Sequence, residues 1–267
     1  MSPAPRGPGS HPEDAGPVVS GAGAFDLVGD AYAAGRPGYP EGLVDTMLHR
    51  SRPVPGEHVV DLGAGTGRLT AQLHARGLHV IALEPLPRLR NQLRRQLPTV
   101  PVVGGVAERL PLRGGSVGLI ACGQAFHWFD AQLALAEARR VLRPGGWLAL
   151  LFNIRDLTQP LQAELDELLR PLYGDTPSWG SRDWDAALAT ARGFAAPEES
   201  VEPHEHRLDA AGFSARIASI SFVASLSDDQ RSAVLSDGRS LFDRHAVDGR
   251  VAMRYRAELS LLRRLDG

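Results

Sequence analysis

The sequence predicts an α/β fold built on a doubly wound, mostly parallel sheet. Short apolar runs alternate with amphipathic helical stretches over residues 58–152, and such runs are typical of parallel strands covered on both faces. A glycine-rich turn follows the first run, at the end of the sheet where doubly wound folds bind their ligands. Two late strands enclose helices, which predicts an antiparallel edge.

Bulk composition narrows the class of protein. With 267 residues, 43% hydrophobic and 22% charged, the chain can bury one large core. A formal net charge of -2 offers no field that would attract nucleic acid or an anionic membrane. The single cysteine, Cys122, allows no internal disulfide, and no apolar run suits a secretory signal or a membrane span. We expect a cytoplasmic monomer or homodimer with a small-molecule substrate.

The first fifty residues divide into a tail and a helical segment. Residues 1–22 are rich in Pro, Gly, Ser and Ala and predict a disordered tail, because burial could not repay their ordering entropy. An amphipathic pattern over residues 25–50 is broken by the prolines of segment 36–40, so two short helices are expected. We interpret residues 23–50 as a helical lid on a single domain of residues 23–267.

The remaining elements follow from periodicity and turn signals. Asp130 is expected to cap the helix that follows it. We interpret residues 154–200, which include an irregular tract over 173–199, as an insertion that covers the active site. The predicted strands are 58–62, 79–83, 101–103, 117–122, 147–152, 201–207 and 251–262, and the predicted helices are 67–76, 86–97, 131–142, 158–172, 210–219 and 228–245.

The turn after the first strand carries alternating glycines. Gly63, Gly65 and Gly67 let the backbone approach a ligand closely, but their spacing departs from the dinucleotide fingerprint GxGxxG. Asp61 stands just before them, where it would repel a pyrophosphate and stabilise the ammonium group of an amino acid. Glu84 ends the second strand, where its carboxylate could accept hydrogen bonds from both hydroxyls of a ribose. Alternatively, Glu84 is an exposed acid favoured by the following helix dipole.

These segments resemble the class I S-adenosylmethionine-dependent methyltransferases, and more narrowly the small-molecule group that includes trans-aconitate methyltransferase-like proteins. The resemblance implies a Rossmann-like, seven-stranded sheet in three α/β/α layers, with an antiparallel last strand. It also implies that a methyl group passes from S-adenosylmethionine, leaving S-adenosylhomocysteine, to a small organic acid or natural-product intermediate. The matching segments are Tyr32 with 36–40, then 59–70, 83–85, 107–112, 123–130 and 142–146.

Cofactor contacts are expected along these motifs. Many family members carry an aspartate before the Ala-Glu pair to meet the adenine amino group, and Val106 stands there instead. The adenine contact is therefore assigned to the Ala107 backbone or the Glu108 side chain, although Glu108 could also be a solvated loop acid. The predicted cofactor-binding residues are Tyr32, Arg36, Asp61, Gly63, Ala64, Gly65, Gly67, Glu84, Ala107, Glu108 and Gln124.

His127 is the candidate catalytic residue, because it follows the fourth strand and could act as a general base for a hydroxyl nucleophile. The alternative is that it packs with Trp128 beside the cofactor. Gln124 could likewise contact the cofactor or satisfy local backbone groups. The predicted substrate pocket comprises Tyr39, Trp128, Phe129, Phe152 and Trp179.

Neither metal binding nor nucleic-acid binding is expected. His204, His206 and His245 have no short-range Cys or carboxylate set beside them, so no metal is predicted. The arginine-rich helix at 86–97 is interpreted as a solvated face and not as a nucleic-acid surface. Two alternatives stay open: a nicotinamide-dependent oxidoreductase on a similar sheet, and a protein that binds S-adenosylmethionine without methylating a substrate.

Overall fold

A computed structural model describes residues 35–173 and 184–266 as one seven-stranded sheet with helices on both faces. The spatial order is β3-β2-β1-β4-β5-β7-β6. The fold class predicted from the sequence is confirmed. The strands are β1 (His58–Leu62), β2 (His79–Leu83), β3 (Val102–Val103), β4 (Val117–Gly123), β5 (Leu142–Arg155), β6 (Glu198–Leu208) and β7 (Val251–Arg263).

Strand pairing determines where the sheet can bind a ligand and which strand ends its antiparallel side. β1 pairs in parallel with β2 on one side and with β4 on the other, so the strand order reverses there. Ligands of doubly wound sheets bind at such a switch point. β7 runs antiparallel to both β5 and β6, as expected for the late strands. β7 is internal, and β6 is the edge strand.

Nine helices cover the described part of the sheet. The caps follow local sequence: Asp130 accepts a hydrogen bond from the Leu133 N–H at 3.1 Å, as expected, and Ser227 forms a capping box with Gln230. The helices are α1 (Glu41–Ser51), α2 (Arg68–Ala75), α3 (Pro87–Gln96), α4 (Ala131–Val141), α5 (Pro160–Leu169), α6 (Asp185–Ala189), α7 (Ala210–Ala218), α8 (Ser221–Ala224) and α9 (Asp228–His245).

Alternate residues of each strand enter different cores. Val60 and Ile120 belong to the core that α4 covers, while Val59 and Leu119 belong to the core beneath α1 and α2. A third core joins α5, α7 and α9 to the ends of β6 and β7, with Phe213 at its centre. We call α5, α7, α8 and α9 the cap. In the part that the structure describes, no helix combines the length and apolarity needed to cross a membrane.

Several boundaries differ from the prediction. β5 extends well beyond 147–152, because its far end pairs with β7 as far as Tyr255. The helix expected over 158–172 ends at Leu169, and a 3-10 turn follows it. The tract 173–199 contains α6, whose five residues are too few to produce a visible period. The expected tail 1–22, the first lid helix, Tyr32 and Trp179 lie outside the described residues.

Candidate active site

The glycine turn after β1 adopts a conformation that other residues disfavour. Gly63, Gly65 and Gly67 have φ values of 70°, 57° and 87°. The N–H groups of Gly63 and Ala64 both donate to the Leu83 carbonyl, at 2.8 and 3.0 Å, which ties the ends of β1 and β2 together. A Cβ on Gly63 would lie 2.6 Å from the Ala125 Cβ, whereas one on Gly65 would meet no atom within 4 Å. Gly65 therefore faces open space.

Glu84 holds this turn from the end of β2. Its carboxylate is buried, with 4% of the residue exposed. Oε2 accepts the Gly65 N–H at 2.8 Å, and Oε1 accepts the Leu86 N–H at 2.9 Å. Each carboxylate oxygen can accept more than one hydrogen bond, so these contacts leave the predicted ribose interaction chemically feasible. The alternative of an exposed acid does not fit this burial.

A cavity of about 410 Å³ lies at the switch point, against the glycine turn. This volume is within the usual range for small-molecule sites. Trp128, Leu86 and Leu89 line one side, and Ala224 of α8 packs in the same cluster with them. The residues predicted for a site that line the cavity are Arg36, Tyr39, Gly63, Ala64, Gly65, Glu84, Ala107, Glu108, Gln124, Trp128 and Phe129.

Four predicted residues do not line this cavity. Gly67 faces a neighbouring groove on the other side of the turn. Phe152 is buried and stacks on Trp184, with ring centroids 5.2 Å apart, so its surface is used in the core. Asp61 and His127 are also away from the wall, for reasons given below.

The sequence interpretation missed a supporting role for the arginine-rich helix. Arg90 Nη1 donates to the carbonyls of Glu84 and Pro85, at 2.9 and 2.6 Å. Arg94 Nη2 donates to the Val102 carbonyl at 2.8 Å. These two arginines therefore fix the loop that carries Glu84 and the end of β3. Their helical spacing gave no signal of this, because the acceptors are backbone carbonyls of the segments that flank the helix.

Gln124 joins the cavity to the end of β5. Its φ is 55°, a left-handed conformation that costs a non-glycine residue about 1 kcal/mol or more. Nε2 donates to the Asn153 carbonyl at 2.9 Å, and Asn153 Nδ2 donates in turn to the Gly38 carbonyl at 2.9 Å. Gln124 thus satisfies backbone groups and also lines the cavity, so both interpretations from the sequence apply to its position.

Glu108 is held in place on the cavity wall. Its Oε1 accepts the Asp130 N–H at 2.9 Å, which links the loop after β3 to the start of α4. The preceding residue, Ala107, is buried. Glu108 is therefore more than a solvated loop acid. Its contact with an adenine stays a prediction.

Asp61 lies beneath the glycine turn and not on the cavity wall. It is 1% exposed, and Oδ2 accepts the Thr70 Oγ1–H at 2.5 Å. Burial raises the pKa of the Asp61 carboxyl from 3.8 to about 7. A ligand ammonium group placed near the turn would lower this pKa again. The predicted ammonium contact would then require the carboxylate to act through the turn or through water.

The shifted pKa of Asp61 predicts a pH-dependent stability. Between about pH 4 and 7 the folded chain retains a proton that the unfolded chain has lost, so the free energy of unfolding falls as pH rises. We expect a loss of about 2 kcal/mol from pH 5 to 7.5, and a much flatter profile for Asp61→Asn. Urea unfolding at several pH values measures this, with the exposed Asp45→Asn as the control. Equal slopes in the native and Asp61→Asn chains would contradict the assignment.

His127 belongs to an aromatic cluster. The 3-10 turn Phe126–Trp128 places its ring centroid 4.9 Å from Trp128, 6.1 Å from Phe152 and 6.2 Å from Trp184. Its Nδ1 is buried and has no hydrogen-bond partner in the part of the chain described. Burial, aided by the charge of Arg36, lowers the pKa of His127 to about 3. The imidazole is neutral at pH 7 and a weak base, which favours the packing interpretation.

A pair of substitutions tests the packing role. We expect His127→Ala to lower the free energy of unfolding by about 2 kcal/mol, because it removes a ring from the cluster. His127→Phe should lie within about 0.5 kcal/mol of the native chain, because it keeps the ring and removes the unpartnered nitrogen. Urea unfolding of both variants measures the difference. Equal destabilisation by the two changes would show that the nitrogens are required.

Among the residues described, no group of three His, Cys, Asp or Glu side chains is arranged to hold a metal ion. The expectation that the chain uses no metal stays a prediction.

The fold and site together define a Rossmann-like α/β protein, with a cavity at the switch point, a glycine turn and a carboxylate ending the second strand. Comparison with known proteins gives the family. Residues 60–150 match the methyltransferase domain family. A methyltransferase-like protein of Schizosaccharomyces pombe is 33% identical over 204 residues, covering 76% of this chain and 79% of the relative. The chain belongs to the class I S-adenosylmethionine-dependent methyltransferase family, as its motifs indicated.

Two further comparisons agree with this assignment. A methyltransferase of Mycobacterium tuberculosis is 44% identical over 139 residues, covering 52% of this chain and 56% of the relative. The match thus spans little more than half the length of that mycobacterial protein. The solved structure of an Anaeromyxobacter dehalogenans protein, described as a type II methyltransferase, is similar with a TM-score of 0.60 at 24% identity. That likeness covers 85% of this chain and 96% of the other, and it supports the fold alone.

Proposed function

We propose that the protein binds S-adenosylmethionine in the switch-point cavity and transfers its methyl group to a small-molecule acceptor. The observation that carries this proposal is the buried Glu84 carboxylate on the cavity wall, hydrogen-bonded to the Gly65 N–H across the turn. A carboxylate at this position can accept hydrogen bonds from ribose hydroxyls, beside a turn whose backbone a ligand can approach closely. The open space at Gly65 and the cavity volume fit a cofactor of this size.

Each part of the cofactor is assigned in this proposal to residues that line the cavity. Bound S-adenosylmethionine supplies a methyl group activated by its sulfonium. Glu84 fixes the ribose, Glu108 and the Ala107 backbone are placed for the adenine, and the glycine turn is placed for the methionine end. Trp128 and Phe129 present apolar surface that excludes water. Positioning of the acceptor against the methyl carbon then supplies most of the rate enhancement, as in other in-line displacements.

A small-molecule acceptor is supported by charge and by the cavity. The net charge of -2 gives no attraction to polyanions, and the cavity is enclosed by side chains and not by a basic surface. We include a small organic acid or a natural-product intermediate in this class. The nicotinamide-dependent alternative has no supporting observation, since the glycine spacing and the family both oppose it.

Calorimetric titration with S-adenosylhomocysteine tests cofactor binding. We expect saturable one-to-one binding in the micromolar range, and none with NAD. No binding at millimolar ligand would refute the proposal. Turnover of S-adenosylmethionine is then followed over a panel of carboxylic acids, phenols and amines. Tight cofactor binding with no methylated product from any of them would support a protein that binds the cofactor without methylating.

A further inference from the structure

A second concave surface adjoins the cofactor cavity. This open groove, of about 900 Å³, lies at the amino-terminal end of α2, and we call it the α2 groove. Tyr39, Thr66 and Arg68 line both the groove and the cavity, so the two share a wall. Gln92 of α3 and His204 of β6 line the groove alone. A molecule that occupies the cavity could therefore place one end in the groove.

The groove presents hydrogen-bonding groups that have no partner. Gln92 is only 4% exposed, and its Nε2 is buried without a hydrogen-bond partner, although the side chain lines the groove. His204 hydrogen-bonds to the Gly38 backbone, but its Nε2 is buried and has no partner among the described residues. Within the described ranges, Arg68 forms no ion pair and no hydrogen bond. Unsatisfied buried polar groups are uncommon because they destabilise the fold, and a ligand that hydrogen-bonds to them would remove that destabilisation.

Arg68 brings a positive charge to the groove. The start of α2 directs its helix dipole towards the groove. His206 lies two residues beyond His204 on the same face of β6, and its pKa is lowered to about 4 by burial and by the charges of Arg216 and Arg68. Arg216 donates to the Tyr255 hydroxyl at 3.4 Å and forms no ion pair in the part of the chain that is described.

Two acids lie at or near the groove. Glu41, on its rim, forms an ion pair with Arg76. Glu202, on the same face of β6 as His204, lies against Gly42 of α1. Neither acid pairs with Arg68 among the described residues, so no ion pair neutralises this arginine beside the buried amide, the imidazole and the helix amino terminus.

We propose that the α2 groove binds a small oxyanion, a carboxylate or phosphate group carried by the acceptor away from its methylated atom. Arg68 supplies the charge, and Gln92 Nε2 and His204 supply hydrogen bonds. The shared wall at Tyr39, Thr66 and Arg68 connects this group to the cofactor cavity. The assignment to the acceptor rests on the proposed methyl transfer, whereas oxyanion binding can be measured without it.

Nuclear magnetic resonance titration of the full chain tests the groove, with succinate and inorganic phosphate as separate probes. We expect the Gln92 side-chain amide and the His204 ring to shift saturably, at millimolar concentrations. Gln92→Leu and Arg68→Gln should each weaken binding about tenfold or more, since hydrogen bonds to charged groups are lost. Arg88→Gln, an exposed arginine on the same helix as Gln92, should change it less than about twofold.

The outcomes separate this inference from the proposed function. Tighter binding of succinate identifies a carboxylate acceptor, and tighter binding of phosphate identifies a phosphorylated one. No shift at Gln92 with either probe, or equal binding by the native, Gln92→Leu and Arg68→Gln chains, would overturn the inference. The Kd for S-adenosylhomocysteine, measured in parallel on Gln92→Leu, should remain native. Loss of oxyanion binding in a chain that still binds S-adenosylhomocysteine leaves the proposed function intact.

Discussion

Glu84→Ala is expected to weaken S-adenosylhomocysteine binding by at least about 100-fold. The native carboxylate accepts the N–H groups of Gly65 and Leu86, so its removal leaves two backbone donors without their acceptor and loosens the glycine turn. The proposed contacts with the ribose hydroxyls are lost as well. Two hydrogen bonds to a charged group contribute about 3 kcal/mol or more, which corresponds to that factor. Calorimetric titration measures the change.

Glu137→Ala is the matched control for this variant. Glu137 also accepts a backbone N–H, from Leu110 at 2.8 Å, but it lies on α4 and does not line the cavity. Its removal should leave the dissociation constant within about threefold of the native value. Glu84→Gln keeps the side-chain volume and should lie between the native chain and Glu84→Ala. A Glu84→Ala chain that binds normally would remove Glu84 from the cofactor site.

Gly63→Ala is expected to destabilise the fold by about 3 kcal/mol. The φ of 70° costs any residue with a Cβ roughly 1–2 kcal/mol, and the new methyl group would lie 2.6 Å from the Ala125 Cβ. Overpacking of this kind costs roughly 1–3 kcal/mol more, because the Gly63 N–H is tied to Leu83 of β2 and the Gln124 N–H, beside Ala125, is tied to Leu151 of β5. For a chain of this size, the Tm should fall by about 6–12 °C.

Gly65→Ala isolates the backbone strain. Its φ of 57° is similar, but a Cβ there would meet no atom within 4 Å. We expect a loss of only about 1–2 kcal/mol and a smaller fall in Tm. Differential scanning calorimetry of the two variants gives the comparison. Equal destabilisation would mean that the close approach of Gly63 to Ala125 does not limit the turn.

Many elements of the fold could be predicted because apolar runs and helical periodicity are visible within a short stretch of sequence. β1 and β2 have the bounds expected from their apolar runs, and α9 begins and ends as its periodicity predicts. The far end of β5 could not be foreseen, because residues beyond 152 are strands only through pairing with β7. α6 and α8 are too short to show a helical period, so only their tertiary contacts define them.

Some residues of the candidate site could be placed from the sequence, and others depend on contacts between distant segments. The glycine turn and Glu84 are adjacent to strand ends, so topology alone brings them together. The positions of Phe152 and His127 depend on Trp184, which approaches from a segment without recognisable periodicity. The α2 groove combines Gln92, Arg68 and His204 from three separate elements, and of these only Arg68 lies in a segment matched to the family.

The internal position of β7 has a consequence for synthesis of the chain. In the described part of the sheet β6 pairs with β7 alone, so its eleven residues have no such partner until residues 251–263 have emerged from the ribosome. At ordinary elongation rates this interval is on the order of seconds, during which an unpaired strand is a template for aggregation. Pro203, Glu205 and Arg207 project from the exposed face of β6 and disfavour pairing with another chain. These residues therefore protect the newborn chain before the sheet is complete.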